Sequence, residues 1–215
     1  SGAGILTIGA NFNSLTVFGA AFTAKTKTAE IKGDQNGGFA GIVNRFDIGH
    51  FAIYTGFHTG LSKTKQKSAE STDTIKNQWT GFVVKPEYAY AATDTLTLRS
   101  AVNVGYTYLH TDDYTSAAGV KIKTDGMHLL DIAPEFRAEK TFSGEWGGSF
   151  GGKYVFNKSF KGQITADNLV LQNVSEAPFV EYGVEIKNKT FSLAVNRRDG
   201  HRQGWNGMIR YEYAF

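Results

Sequence analysis

Apolar and polar residues alternate with a period of two along nearly the whole chain, while a period of 3.6 is almost nowhere found, so the pattern predicts strands joined by turns. Residues 96–110 show it most clearly. Leu96, Leu98, Val102, Val104, Tyr106 and Tyr108 share one face, and Thr97, Arg99, Asn103 and Thr107 share the other. Residues 127–140 divide in the same way, Leu130, Ile132, Pro134, Phe136 and Ala138 against Asp131, Glu135, Arg137 and Glu139. Eleven segments are predicted, at 5–12, 15–24, 38–48, 51–61, 79–90, 96–110, 127–140, 145–156, 179–187, 191–198 and 204–215. Those at 15–24, 38–48 and 191–198 alternate poorly, and residues 163–171 are read as loop because a strand there would break the rhythm of the connections.

That rhythm alternates short turns (13–14, 49–50, 91–95, 141–144, 188–190) with long polar stretches (25–37, 62–78, 111–126, 157–178). Such a division predicts an all-β, antiparallel transmembrane barrel of the bacterial outer membrane, with the short turns periplasmic and the long loops outside, in a single domain over residues 1–215. A lipocalin-like or streptavidin-like soluble barrel is the competing architecture, with its apolar face turned inward around a ligand. The apolar sets here are rich in large aromatics and the polar sets mix glycines with paired charges, which suits a lipid-facing exterior and a hydrated lumen.

Composition narrows the chemistry. The 25 Gly, 16 Phe and 10 Tyr against 3 Pro suit strands, and the lack of cysteine removes disulfides, thiolate nucleophiles and Cys-ligated metals. A net charge of +3 from 23 basic and 20 acidic residues is too balanced for a nucleic-acid binder. The mean hydropathy of −0.28 does not oppose a membrane barrel, since only alternate residues of a spanning strand need be apolar.

The alternation directs Lys85, Glu87, Arg99, Asp131, Glu135, Arg137, Glu139, Lys153, Glu181, Glu185, Lys187, Arg210 and Glu212 into the lumen. Their mixed signs argue against a pore that selects one ion. Trp79, Tyr88, Tyr90, Tyr106, Tyr108, Trp146 and Trp205 are assigned to two aromatic girdles at the membrane interfaces. Of the five histidines, His58 is the best candidate for catalysis because it shares a polar face with Gly56, Gly60 and Ser62, although a histidine on a wet wall needs no special role. No spacing marks a metal site, and no cofactor is implied. The basic runs Lys25-Thr26-Lys27 and Lys63-Thr64-Lys65-Gln66-Lys67 are placed to reach lipopolysaccharide phosphates from outside, with plain solvation the simpler account.

The last twelve residues put Trp205, Ile209, Tyr211, Tyr213 and Phe215 on one face and Asn206, Met208, Arg210 and Glu212 on the other, ending on the aromatic. Trp205-Asn206-Gly207 followed by Ile209-Arg210-Tyr211-Glu212-Tyr213-Ala214-Phe215 resembles the ending of autotransporter (type V secretion) translocator domains. Ile8-Gly9-Ala10-Asn11-Phe12 with Leu15-Thr16-Val17-Phe18-Gly19 is similar to the second and third strands of that family, and the run from Phe179 through Ile186 to its tenth. The resemblance implies a roughly twelve-stranded translocator without enzymatic activity that lets an N-terminal passenger reach the cell surface. It also implies insertion among outer-membrane lipids and lipopolysaccharide by the barrel assembly machinery, which would read Gly207, Ile209, Tyr211, Tyr213 and Phe215. A first strand and a pore helix would precede residue 1. The count of ends agrees, because an odd number of strands puts one terminus on the wrong side. A further strand pairing with both 5–12 and 204–215 is therefore expected. The other functional reading is a stand-alone barrel acting as a small porin or a lipase-like enzyme.

Overall fold

Among the described residues fifteen strands follow one another: β1 (Gly2–Phe12), β2 (Leu15–Lys27), β3 (Lys32–Ile48), β4 (Phe51–Lys67), β5 (Thr72–Thr93), β6 (Leu96–Thr111), β7 (Tyr114–Thr115), β8 (Lys121–Thr124), β9 (Met127–Thr141), β10 (Gly147–Lys161), β11 (Gln163–Ala166), β12 (Leu169–Asn173), β13 (Phe179–Lys187), β14 (Phe191–Gly200) and β15 (Gly204–Tyr211). The structure, a computed structural model, describes residues 2–27, 31–68, 71–142, 145–167, 169–173, 177–200 and 203–211. Eleven strands form one curled antiparallel wall in the order β1-β2-β3-β4-β5-β6-β9-β10-β13-β14-β15. Among the described residues β1 is laddered to β2 and β15 to β14, so the wall is open at both edges.

The wall has no interior of the usual kind. No large side chain among the described residues is fully buried, while Leu6, Ile8, Phe57, Leu61, Phe82, Phe136, Phe150, Phe156, Val184 and Ile209 all stand exposed. Register places these side chains on the same, outward face, strand after strand. In water so continuous an apolar surface would drive association, whereas hydrocarbon is the medium that matches it.

Two predicted long loops are largely strand. Residues 32–37, 62–67 and 72–78 belong to β3, β4 and β5, leaving only 28–31 and 68–71 as connections. With 22 residues, β5 is about twice the 9–11 that a membrane-crossing strand requires, so its outer part extends beyond the hydrocarbon core. Backbone wetted on both faces carries polar residues on both faces, and an apolar alternation cannot mark it. The segments that alternate poorly are strands of the wall, β2, β3 and β14, and in β2 and β3 the alternation is blurred because Phe18, Phe22 and Phe39 turn inward instead of outward.

Tight turns close one end, with left-handed backbone at Asn13 (φ 54) and at Gly49 (φ 62), a conformation that suits a two-residue hairpin. At the other end the loop expected at 163–171 is again ordered. β11 and β12 join β7 and β8 in a second sheet, order β12-β11-β8-β7, outside the wall. Left-handed φ at Lys161 (61) and Gly162 (86) turns the chain out of β10, so the stretch adds no wall strand and the alternation of connections survives.

Candidate functional site on the inner wall

Three neighbouring strands bring six charged side chains into a closed ring of alternating sign. Lys85 Nζ lies 3.1 Å from Glu135 Oε2, and Glu135 Oε1 3.2 Å from Arg137 Nη2. Arg137 Nη1 is 3.8 Å from Glu139 Oε1, and Arg99 Nε donates to Glu139 Oε2 at 3.0 Å. Arg99 Nη1 donates to Glu87 Oε1 at 2.7 Å, and Glu87 Oε2 returns to Lys85 Nζ at 3.6 Å. Every carboxylate uses both oxygens on different cations. Register explains the closure: Glu87 and Glu135 both stand opposite Ala101, whose small buried side chain sits at the centre of the ring. Arg99 and Arg137 face one another directly, an arrangement that repels until the flanking glutamates intervene.

A second cluster follows the same logic. Lys153, Glu181 and Arg198 stand in one cross-strand row of β10, β13 and β14, with Glu181 held at 2.9 Å by Lys153 and 2.8 Å by Arg198. Between ring and row lies a cleft of about 470 Å³, lined by Lys85, Glu135, Lys153, Glu181, Asn196 and Arg210. Asn157 donates to Asp131 on the same face. Glu185 shares that face, opposite Ser149 and Ala194.

The β2–β5 part of the inner wall is built differently. There aromatic rings lie on glycines of the neighbouring strand. A Cβ at Gly37 would come within 2.6 Å of Phe22 Cζ, one at Gly41 within 2.6 Å of Phe18 Cζ, and one at Gly60 would run into Trp79. The rings touch in turn, Phe18 edge-on to Phe39 at 6.1 Å between centroids and Phe22 tilted on Trp79 at 6.2 Å. Each glycine offers a flat track that a ring covers.

No protein-family model and no curated protein matches the chain. Solved structures do. The translocator domain of autotransporter NalP from Neisseria meningitidis superposes with a TM-score of 0.73 at 13% identity, covering 96% of this chain and 78% of that one. The transport unit of AIDA-I from Escherichia coli gives 0.66 at 11% identity over 98% and 80%, and the β domain of Bordetella BrkA 0.64 at 13% over 97% and 88%. The chain has the fold of an autotransporter translocator barrel. A KdgM porin solved with oligogalacturonate is a more distant likeness, with a TM-score of 0.50 at 11% identity over 99% and 92%.

On this translocator fold Lys85, Glu87, Arg99, Asp131, Glu135, Arg137, Lys153, Glu181, Glu185 and Arg210 lie on the inner face, whereas Glu212 lies outside the described residues. Tyr88, Tyr90, Tyr106 and Tyr108 lie on the outward face, with Phe51 packed on Tyr88 and Phe82 stacked on Tyr106. Trp146 is exposed at the mouth of the β9–β10 turn, and Trp205 stands outward under the guanidinium of Arg197, 5.2 Å from its ring centre. Trp79 departs from the girdle assignment: it faces inward, on the same parity as Lys85 and Glu87. Gly207, Ile209 and Tyr211 are outward on β15, while Tyr213 and Phe215 fall outside the described residues. The His58 ring packs over Gly81, and among the described residues it has neither a serine nor a carboxylate in hydrogen-bond reach. His128, on the outward face, pairs its Nδ1 with Tyr106 Oη at 2.5 Å.

Proposed function

We propose that this domain is the outer-membrane translocator barrel of an autotransporter, through which an N-terminal passenger reaches the cell surface. The observation that carries the reading is the match of the whole eleven-stranded wall to three translocator domains. The inner wall supports it, because a ring with three cations and three anions offers no net charge for selecting a solute, whereas a polypeptide of either sign can slide past it. The open edges of β1 and β15 would each expose unpaired backbone to hydrocarbon, at several kcal/mol per group. A strand pairing with both closes the barrel, and it can belong to the same polypeptide or to another. Assembly would use the machinery that reads the terminal aromatic.

The test is to place a reporter domain ahead of residue 1, behind a secretion signal and together with a closing strand, and to probe intact cells with antibody and protease. Reporter on the surface, with the barrel heat-modifiable in the outer-membrane fraction, is the expected outcome. The porin reading draws on the KdgM likeness. It predicts instead steady ion conductance in planar bilayers without any upstream segment, and a reporter that stays inside.

A further inference from the structure

The basic runs read as loop charges are strand, and strand geometry sorts their side chains. Above the apolar band, the outward face of β2–β5 carries Lys25 and Lys27 of β2, Lys32 of β3, Lys63, Lys65 and Lys67 of β4, and Lys76 of β5. Among the described residues of that face Asp34 is the single acid, opposite both Lys25 and Lys65. On the inner sides of the same strands at this level Asp73 is the one charge among the described residues, and the polar groups are knitted together: Gln35 and Asn77 both donate to the hydroxyl of buried Ser62, and Thr111 donates to Asn77 at 2.7 Å. All seven lysines are exposed, and none is in an ion pair among the described residues.

Three of the cross-strand contacts are lysine on lysine: Lys27 opposite Lys32, Lys32 opposite Lys67, and Lys63 opposite Lys76. Like charges placed directly opposite weaken a sheet. In a chain whose 23 basic residues nearly balance its 20 acidic ones, seven lysines beside one aspartate among the described residues make this face a cationic patch suited to an anion. Position tells which anion. Leu61, 66% exposed, is two residues before Lys63 on the same face, about 7 Å along the strand. Phe57 and Phe82 continue the apolar surface below it. A ligand that covers both regions carries acyl chains below and phosphates above, whereas a soluble polyanion would touch the lysines alone.

We propose that this lysine face docks the phosphorylated head group of a glycolipid in the surrounding leaflet, with the ammonium groups paired to its phosphates and the acyl chains on the apolar band beneath. The proposal rests on the outer-membrane reading above. It assigns the two lysine runs one shared role that neither has alone, since Lys32 of β3 stands between Lys27 of one run and Lys67 of the other.

The experiment uses the folded domain in detergent, with bis-phosphorylated lipid A and enzymatically dephosphorylated lipid A as probes. The test variant combines Lys63→Gln, Lys65→Gln and Lys67→Gln, and the control combines Lys121→Gln and Lys123→Gln on β8, away from the patch. For the phosphorylated probe the triple variant should lose at least about tenfold in affinity, given the contribution of each lysine near an anionic surface. The control variant should match the parent, and the dephosphorylated probe should not distinguish the proteins. Without lipid the triple variant should melt at a higher temperature than the parent, because lysine repulsion is relieved. Lipid A binding unchanged in the triple variant, an equal loss in the control, a lower melting point without lipid, or displacement of lipid A by heparin at matched charge would each overturn the proposal. Reporter display by the same variants separates the two conclusions. A parent that reaches the outer membrane and displays the reporter but ignores the phosphates defeats the docking face alone, and a parent that never inserts defeats the translocator reading.

Discussion

The inner wall solves one problem in two ways. A lumen-facing surface has water over it and no opposing layer to pack against, so its side chains must hold one another in place. Across β5, β6 and β9 this is done with a ring of six charges, each carboxylate shared between two cations. Across β2–β5 it is done with aromatic rings laid on glycines, where the missing Cβ is what admits the ring. The charged half depends on partners and tolerates bulk, whereas the aromatic half depends on space and is indifferent to charge. Substitutions should therefore fail for opposite reasons in the two halves.

The sharpest test asks first whether both halves lie on the wet side. Val102→Arg, on the outward face opposite Pro134, should lower unfolding stability by about 2–4 kcal/mol in a bilayer if it lies near the midplane, while Asn103→Arg next to it should stay within about 0.5 kcal/mol. Equal effects in urea titrations of the two lipid-folded variants would invert the faces and end the comparison. Within the charged half, Arg99→Ala leaves Glu87 and Glu139 each short of a partner, with Glu87 the least exposed member of the ring. A loss of about 2–3 kcal/mol is expected, less than for a dry ion pair because the lumen is wet. Adding Glu87→Gln should recover part of it, so additive losses in a double-mutant cycle would show that the ring is not a unit.

In the aromatic half Gly60→Ala should cost about 2 kcal/mol, since the new methyl meets the Trp79 ring and Phe39. Trp79→Ala in the same chain should return most of that, an outcome with no counterpart among the charges. The smallest effect lies outside the wall. Burial and the charge of Asp73 raise the Tyr114 pKa above its ordinary 10.0. A group whose folded pKa is raised contributes fully below the unfolded value and loses that contribution as pH climbs through the folded one. The second sheet should thus weaken only above pH 10, visible as tyrosinate absorbance missing from a Tyr114→Phe variant; a normal titration at 10.0 would refute the assignment.

How far the sequence reveals all this depends on which medium each face meets. Residues 96–110 and 127–140 divide cleanly because lipid on one side and water on the other impose different chemistry, and their inward and outward sets are the ones observed. The outer parts of β3, β4 and β5 have polar surroundings on both sides, so a single polar alphabet hides them; alternating Lys63, Lys65 and Lys67 was the available signal. Trp79 was legible by parity, being odd-numbered like Lys85 and Glu87, but its aromatic character suggested an interface. Closure of the ring was not legible, because it depends on the registers that bring β5, β6 and β9 together around Ala101.

The small outer sheet has a mechanical consequence. Pairing of β8 with β11 fastens the β6–β9 crossover to the β10–β13 crossover, and Lys121 N–H adds a bond to the Asp167 carboxylate at 3.0 Å. One arc of the mouth is thereby clamped, while β2–β5 rise beside it as a single four-stranded sheet, laddered up to Lys27, Lys32, Lys67 and Thr72. A load passing through the mouth would find the clamped arc a fixed jaw, so amide exchange in β8 and β11 should be slow although both lie beyond the bilayer.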